Sequence, residues 1–225
     1  MKSFIIHLSQ IPESLKTATE LQDNLSKFNL SAELFEGTMG PDAVKKFELE
    51  GRTIHPFGLK GKLDPNGREA KKMSTPGVMG CFDSHYRLWK KCVRLDKPIL
   101  IWEDDIILSR TFFPVEWDDV LIVALGHPTK SVRWMHLLDN PQGDAKALQY
   151  KSPSMPGCCG YAIKPHAARK LLDTYASTFR PADNAINRNI VKMQIHSYQM
   201  GIARVAGKRS LTRANAWRNY KNGKH

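Results

Sequence analysis

Three consecutive carboxylates, Glu103, Asp104 and Asp105, follow the apolar run PILIW at residues 98 to 102. Alternate side chains of a strand point to opposite faces, so Glu103 and Asp105 should face one way and Asp104 the other. Hard divalent cations prefer oxygen ligands, and Mg²⁺ usually joins one or two protein carboxylates to substrate phosphates. The pattern therefore predicts a metal held by Asp105 with help from Glu103. The alternative is that Asp104 and Asp105 only cap the next turn.

The chain around these acids alternates strand and helix patterns. Residues 3 to 8 and 32 to 36 have strand patterns, and an amphipathic helix pattern from residue 9 to 29 separates them. Strand, helix and strand in this order predict a parallel sheet. A second helix pattern at residues 78 to 93 leads into the acid-bearing strand, and ligands of open α/β sheets bind beyond the carboxyl ends of strands.

The rest of the chain continues the α/β pattern. Residues 37 to 77 are rich in Gly, Pro and Lys and predict a functional loop or a small excursion. Further elements are expected as strands at 119 to 125, 133 to 138, 157 to 163 and 202 to 206, and as helices at 165 to 177 and 184 to 200. We expect one α/β domain with a basic C-terminal extension.

Positive charge is concentrated at the C-terminus. The chain has 34 Lys and Arg against 22 Asp and Glu, for a net charge of +12, and no acidic residue follows Asp183. Such a one-sided field attracts a phosphorylated ligand, nucleic acid or an anionic membrane; a solvated tail that only aids solubility is the alternative. The residues that we single out as an anion-binding tail are Lys208, Arg209, Arg213, Trp217 and Arg218.

Composition argues against a membrane span and a disulfide scaffold. No run approaches the roughly 18 apolar residues of a transmembrane helix. The N-terminal apolar run, Phe4 to Ile6, is too short for a signal peptide, so we expect a cytoplasmic protein. The four cysteines, Cys81, Cys92, Cys158 and Cys159, show no C-x-x-C spacing, and we expect reduced, mostly buried thiols.

Three motifs occur together along the chain. A G-C-x-x-S-H helix from Gly80 to His85 precedes the apolar strand that ends in E-D-D. A G-x-x-G-Y strand follows from Gly157 to Tyr161, and R-P-A-D ends at Asp183. This combination resembles glycosyltransferase family 25, the lipooligosaccharide and procollagen glycosyltransferases.

The resemblance implies a GT-A-like, Rossmann-type mixed sheet flanked by helices, with a catalytic domain at residues 1–205 and a basic extension at 206–225. It also implies an inverting transfer from a nucleotide-sugar donor, which we expect to be UDP-linked, with Mn²⁺ or Mg²⁺ held by the acid triplet. Residues 4 to 14 match the family's first strand and donor loop, which makes His7 and Ser9 candidates for the nucleotide site. The arginine usual after that strand is missing, and Ser14 and Lys16 stand nearby.

Several distant residues are candidates for catalysis or metal binding. Asp183 is the best distant carboxylate for a general base or a contact to donor or acceptor; its alternative is a helix cap before residue 184. Asp139 is the competing base. His196 is a candidate to complete the metal site, as a late histidine does in many GT-A enzymes.

Other candidates concern the acceptor and structural support. The turn from Gly157 to Gly160, followed by Tyr161, would let the backbone approach a sugar, or it is simply a strand entry. Ser84 and His85 lie on the apolar helix face, which favours a supporting role beneath the acid-bearing strand over catalysis.

Two acceptors stand nearly level at this point. Family precedent favours a lipooligosaccharide hydroxyl reached from the cytoplasmic side, with the protein peripheral at the inner membrane. The basic, aromatic tail also suits a hydroxymethylated base of bacteriophage DNA, because some phage relatives of such enzymes modify DNA. A basic nucleic-acid-binding protein without transferase activity is the alternative from another class.

Overall fold

The computed structural model describes residues 1–52, 76–108, 114–125, 145–155, 158–197 and 201–203. Within these residues the chain forms nine strands and five helices. The strands are β1 (Lys2–His7), β2 (Glu33–Glu36), β3 (Ile99–Glu103), β4 (Ile106–Leu108), β5 (Val120–Leu125), β6 (Ala147–Gln149), β7 (Cys158–Ile163), β8 (Met193–His196) and β9 (Gly201–Ala203). The helices are α1 (Pro12–Lys27), α2 (Gly40–Leu49), α3 (Pro76–Leu95), α4 (Pro165–Thr174) and α5 (Ala182–Ala185).

All nine strands join one mixed sheet, whose main path runs β2-β1-β3-β7-β5-β8-β6. Strand β1 is parallel to β2 and β3, whereas β7 is antiparallel to both β3 and β5. Strand β9 pairs with the end of β5 and with β4. The fold is therefore the mixed α/β sheet flanked by helices that the sequence predicts.

The central strands are buried on both faces, which explains their nearly continuous apolar sequences. On one face Ile99 and Ile101 of β3 pack in a cluster with Phe82 and Trp89 of α3. On the other face Leu100 and Trp102 pack in a cluster with Leu21 and Leu25 of α1. Strand β3 is thus held between α3 and α1, and its end is fixed by both.

Two glycines permit close approaches near the end of β3. A Cβ added to Gly160 of β7 would lie 2.6 Å from ring carbons of Trp102. A Cβ added to Gly80 of α3 would lie 2.4 Å from the carbonyl oxygen of Thr38. Since both separations are far below van der Waals contact, only glycine lets these elements pack so closely.

The predicted helix at residues 184 to 200 is wrong. Helix α5 ends at Ala185, and residues 193 to 196 form β8, which pairs with β5 on one side and β6 on the other. The helical pattern fails because the sheet offers the buried Met193 and Ile195 a place in its core. Helix α2 lies within the predicted excursion at 37 to 77.

Some expectations lie outside the described residues. They are the strand at 133 to 138 and the boundary between a domain at 1–205 and an extension at 206–225. Among the helices that the structure does describe, none combines the length and the apolar character needed to cross a membrane.

Candidate active site

The acid triplet lies where β3 leaves the sheet. Glu103 is the last residue of β3, and Asp104 and Asp105 form the turn into β4. Glu103 follows Ile99 and Ile101 on the α3 face, while Asp104 follows Leu100 and Trp102 on the α1 face. Oxygens of Glu103 and Asp105 and the sulfur of Cys159 all lie within 4.8 Å of one another. Two acids therefore share one cluster and the third faces α1.

Asp104 is bound to helix α1 through Ser14. The Ser14 hydroxyl donates a hydrogen bond to the Asp104 carboxylate and accepts one from the backbone N–H of Leu8 at 2.9 Å. Ser14 is buried, so this three-part connection fixes the loop after β1 against the acid triplet. No sequence pattern predicts this role of Ser14, and the one local signal is the absence of the arginine usual after the first strand.

His7 and Ser9 lie at the same edge of the sheet. The pairing of β1 with β3 sets Ile6 beside Glu103, so His7 comes one residue beyond. The Ser9 N–H donates to a Glu36 carboxylate oxygen at 3.1 Å, and the other Glu36 oxygen is 3.8 Å from His7 Nε2. The two candidates for the nucleotide site are therefore held by the end of β2, and a part in donor binding stays a prediction.

Negative charge accumulates around Glu103. The pKa of Glu103 is raised well above its ordinary value, first by burial and then by the charges of Asp105, Asp183 and Asp104. Burial and then the charges of Glu103 and of the same three acids also raise the pKa of the Cys81 thiol. A site of this kind gains stability from a bound cation, because the cation offsets both the burial and the mutual repulsion of its carboxylates.

Asp183 reaches this cluster from a distant part of the chain. Its negative charge acts on Glu103 and on both Cys81 and Cys159. Its backbone carbonyl accepts a hydrogen bond from the N–H of Met155 at 2.9 Å. The N-cap of α5 is Pro181, which makes no side-chain cap bond, so Asp183 does not serve as the predicted helix cap.

His85 supports the acid-bearing strand from α3. It is 1% exposed, its Nδ1 lies 3.0 Å from the Tyr161 hydroxyl, and Trp89 Nε1–H donates to the same hydroxyl at 2.8 Å. Burial lowers the pKa of His85 to about 4, so the ring is neutral at physiological pH. Its Nε2 lies 3.5 Å from a Glu103 oxygen.

Ser84 and Gly160 have structural contacts. Ser84 Oγ donates to the Gly80 carbonyl at 2.7 Å and accepts from the Thr38 N–H at 2.9 Å. Gly160 makes room for Trp102, as described above. A role of Gly160 or Tyr161 in acceptor binding stays a prediction.

His196 is not brought to the acid cluster. It is fully buried in β8, which is separated from β3 by β7 and β5 in the sheet. Neither of the potential metal-ligand groups found within the described ranges includes it. The remaining predicted site residues lie outside those ranges: Asp139, Gly157, Lys208, Arg209, Arg213, Trp217 and Arg218.

Two cysteines lie closer to the acid cluster than their spacing in the sequence predicts. Cys81, Cys92 and Cys159 are free thiols, as expected, but Cys81 and Cys159 each lie in a potential metal-ligand group with Glu103. The available signal was the spacing of four residues between Cys81 and His85, which sets them on one face of a helix.

Comparison with known proteins agrees with the motifs. A model of the family "Glycosyltransferase family 25 (LPS biosynthesis protein)" matches residues 1–118. The chain belongs to glycosyltransferase family 25. This family 25 chain is 33% identical over 185 residues to a "Glycosyltransferase 25 family member" of Drosophila pseudoobscura pseudoobscura, covering 75% of this chain and 26% of that protein.

A bacterial relative matches a longer part of the chain. The "Lipooligosaccharide biosynthesis protein lic2B" of Haemophilus influenzae is 31% identical over 190 residues, covering 84% of this chain and 61% of that protein. The family 25 chain therefore spans about a quarter and about three-fifths of the lengths of these two relatives.

Proposed function

We propose that this family 25 chain is an inverting glycosyltransferase that moves a sugar from a nucleotide-sugar donor to an acceptor hydroxyl. The observation that carries the proposal is the cluster of Glu103 and Asp105 at the end of β3, with the charge of Asp183 acting on it. In a family of sugar transferases, a cation-binding group at the ligand-binding edge of the sheet suits a diphosphate leaving group.

Mn²⁺ or Mg²⁺ fits the oxygen ligands of this site, with Glu103 and Asp105 as its holders. Such an ion supplies Lewis-acid stabilisation of the negative charge that develops on the leaving diphosphate. Asp105 is exposed and therefore open to a donor diphosphate, whereas Glu103 is half-buried at the end of β3. Asp104 instead accepts the hydrogen bond from Ser14 that fixes the loop after β1.

Asp183 is our proposed general base. It comes from a different element than the metal-binding acids, so it can approach an acceptor hydroxyl while β3 binds the donor. A carboxylate placed to remove the hydroxyl proton typically contributes a rate factor of about 10² to 10⁴. Asp139 is the competing base, and a part for His196 in metal binding has no support from the sheet order.

A lipooligosaccharide-type glycan is our proposed acceptor, and a UDP-linked sugar our proposed donor. The name of the Haemophilus relative, which covers most of this chain, supports the glycan. We place the reaction on the cytoplasmic side, with the protein peripheral at the inner membrane. Hydroxymethylated phage DNA remains the second candidate, because nine of the residues after Asp183 are basic and none is acidic.

The decisive experiment follows release of nucleoside diphosphate from a panel of nucleotide sugars with Mn²⁺. Each donor is tested alone, with a lipooligosaccharide core and with hydroxymethylcytosine DNA. Asp105→Asn should abolish metal-dependent release, and Asp183→Asn should lower kcat by about 10² or more while metal binding persists. Asp173→Asn, an exposed acid on α4, is the matched control and should behave like the unaltered protein.

Each outcome separates the candidates. Acceleration by the glycan core supports the proposal, and acceleration by modified DNA transfers the same chemistry to the second acceptor. Absence of turnover with every pair, together with salt-sensitive DNA binding that Asp105→Asn leaves intact, would replace the transferase by a basic nucleic-acid-binding protein.

A further inference from the structure

Helix α3 presents a thiol and an imidazole to the same carboxylate. Cys81 and His85 are four residues apart and therefore share a helix face, and that face meets Glu103 at the end of β3. We propose that Cys81, His85 and Glu103 form a second cation site, which takes a thiophilic divalent ion of the zinc type. Binding of this ion stands independently of the transferase activity, and only its competition with Mn²⁺ rests on the proposed function.

The distances suit a tetrahedral ion. His85 Nε2 lies 3.5 Å from Glu103 Oε1, Cys81 Sγ lies 3.9 Å from the same oxygen, and the three ligand atoms lie within 4.8 Å of one another. Zinc bonds of about 2.0 to 2.3 Å require ligand atoms about 3.3 to 3.8 Å apart in a tetrahedron. The side chains need only small movements to reach this geometry.

A second observation points independently to a ligand. His85 is 1% exposed, and its Nε2 is a buried nitrogen without a hydrogen-bond partner in the described part of the chain. The ring is fixed by stacking on Tyr161, with centroids 5.7 Å apart, so Nε2 is held toward Glu103. A cation bound between the three side chains would be coordinated by this nitrogen.

The surroundings of His85 match those of a metal-binding histidine. Such a histidine usually donates its other ring N–H to a fixed acceptor, which sets the tautomer and the ring orientation. Trp89 Nε1–H donates to the Tyr161 oxygen, and His85 Nδ1 lies 3.0 Å from the same oxygen, which accepts from Nδ1–H in the tautomer that leaves Nε2 unprotonated. In that tautomer the lone pair of Nε2 is directed at Glu103 and free to bind a cation.

The two cation sites share Glu103. One group contains Cys81, His85 and Glu103, and the other contains Glu103, Asp105 and Cys159. Sulfur and imidazole ligands select zinc-type ions, whereas carboxylates suit Mn²⁺ and Mg²⁺. A thiophilic ion bound to α3 therefore engages the carboxylate that the harder ion needs, and Zn²⁺ should displace bound Mn²⁺.

The test titrates the metal-free, full-length protein with Co²⁺, a spectroscopic substitute for Zn²⁺, without nucleotide sugar. We expect one equivalent to produce tetrahedral visible bands and a sulfur-to-cobalt charge-transfer band, both removed by Zn²⁺. Cys81→Ser should abolish the charge-transfer band, and Tyr161→Phe should weaken binding about 10- to 100-fold. Cys92→Ser is the matched control, because Cys92 lies buried on the same helix with backbone carbonyls as its contacts.

The results that overturn the proposal are equally specific. The first is the absence of a charge-transfer band in the unaltered protein. The second is a band that persists in Cys81→Ser when a thermal melt shows that this variant is folded. Loss of the band in Cys159→Ser but not in Cys81→Ser would assign the thiol to the other group.

Zn²⁺ should raise the electron paramagnetic resonance signal of released Mn²⁺ in the unaltered protein and not in Cys81→Ser.

Discussion

Replacing Ser14 by alanine should weaken both the fold and donor binding. The Ser14 hydroxyl is the only atom of this side chain that joins the loop after β1 to the acid triplet, by accepting from the Leu8 N–H and donating to Asp104. The change removes both bonds at once. It leaves helix α1 otherwise intact, because alanine has the highest helix propensity.

The expected cost follows from the surroundings of the two bonds. A hydrogen bond to a charged group contributes about 1.5 to 3 kcal/mol, and an unsatisfied buried donor costs about 1 to 3 kcal/mol. Both bonds are only partly buried, so water replaces some of what is lost. We expect the free energy of unfolding to fall by about 2 to 3 kcal/mol, near the lower end of the combined range.

Urea denaturation and donor kinetics test the reasoning together. Ser26→Ala is the control on the same helix, because its hydroxyl makes one exposed bond to the Asp23 carbonyl and should cost under about 0.5 kcal/mol. Ser14→Ala should also raise KM for the nucleotide sugar about tenfold, equivalent to about 1.4 kcal/mol. Equal stabilities of the two variants would show that Ser14 does not hold the loop.

Three further changes test the packing and electrostatics around the site. Gly80→Ala should lower the free energy of unfolding, measured in urea, by about 1 to 3 kcal/mol, because the added Cβ would meet the Thr38 carbonyl oxygen. Alanine's better helix propensity acts in the other direction, so a stabilised variant would contradict this reasoning. Tyr161→Phe should cost about 2 to 4 kcal/mol by the same measurement, since two buried ring nitrogens lose their shared partner, and a loss below about 1 kcal/mol would refute it. The pKa of Asp119 is lowered because hydrogen bonds from the Lys192 N–H and from nearby histidine and lysine side chains outweigh its burial, which acts in the opposite direction. Its ionised form therefore stabilises the fold above about pH 4 and loses this effect as pH falls, so the deficit of Asp119→Asn should shrink between about pH 7 and pH 3; a constant deficit would disprove the assignment.

The N-terminal half of the fold was predictable because its signals are local. The periodicity of α1 and α3 and the apolar run of β3 identify the elements without reference to distant residues. The wrong prediction of a helix at residues 184 to 200 arises because the structure there depends on long-range pairing and not on local signals. Strand β8 has four residues and its partner β6 has three, so both depend on hydrogen bonds to strands far away in the sequence.

In the candidate site, too, local features were predictable from the sequence and long-range contacts were not. Alternation along β3 predicted that Glu103 and Asp105 would separate from Asp104, and the helical pattern predicted a supporting role for His85. The bond between Ser14 and Asp104 joins residues 90 positions apart, and no local pattern indicates it. The helix-cap alternative for Asp183 also depended on a helix that the sheet replaces with a strand.

The sheet's change of direction explains why carboxylates and thiols meet at one point. Strand β3 is parallel to β1 on one side and antiparallel to β7 on the other, so the end of β3 adjoins the beginning of β7. The ladder pairs Trp102 with Gly160, and the residues next to this pair, Glu103 and Cys159, have an oxygen and a sulfur within 4.8 Å of each other. Helix α3 adds Cys81 and His85 on the face to which Glu103 points. The position of Glu103 at this junction therefore makes it the shared ligand of both proposed cation sites. This sharing follows from the directions of the strands and not from the acid triplet alone.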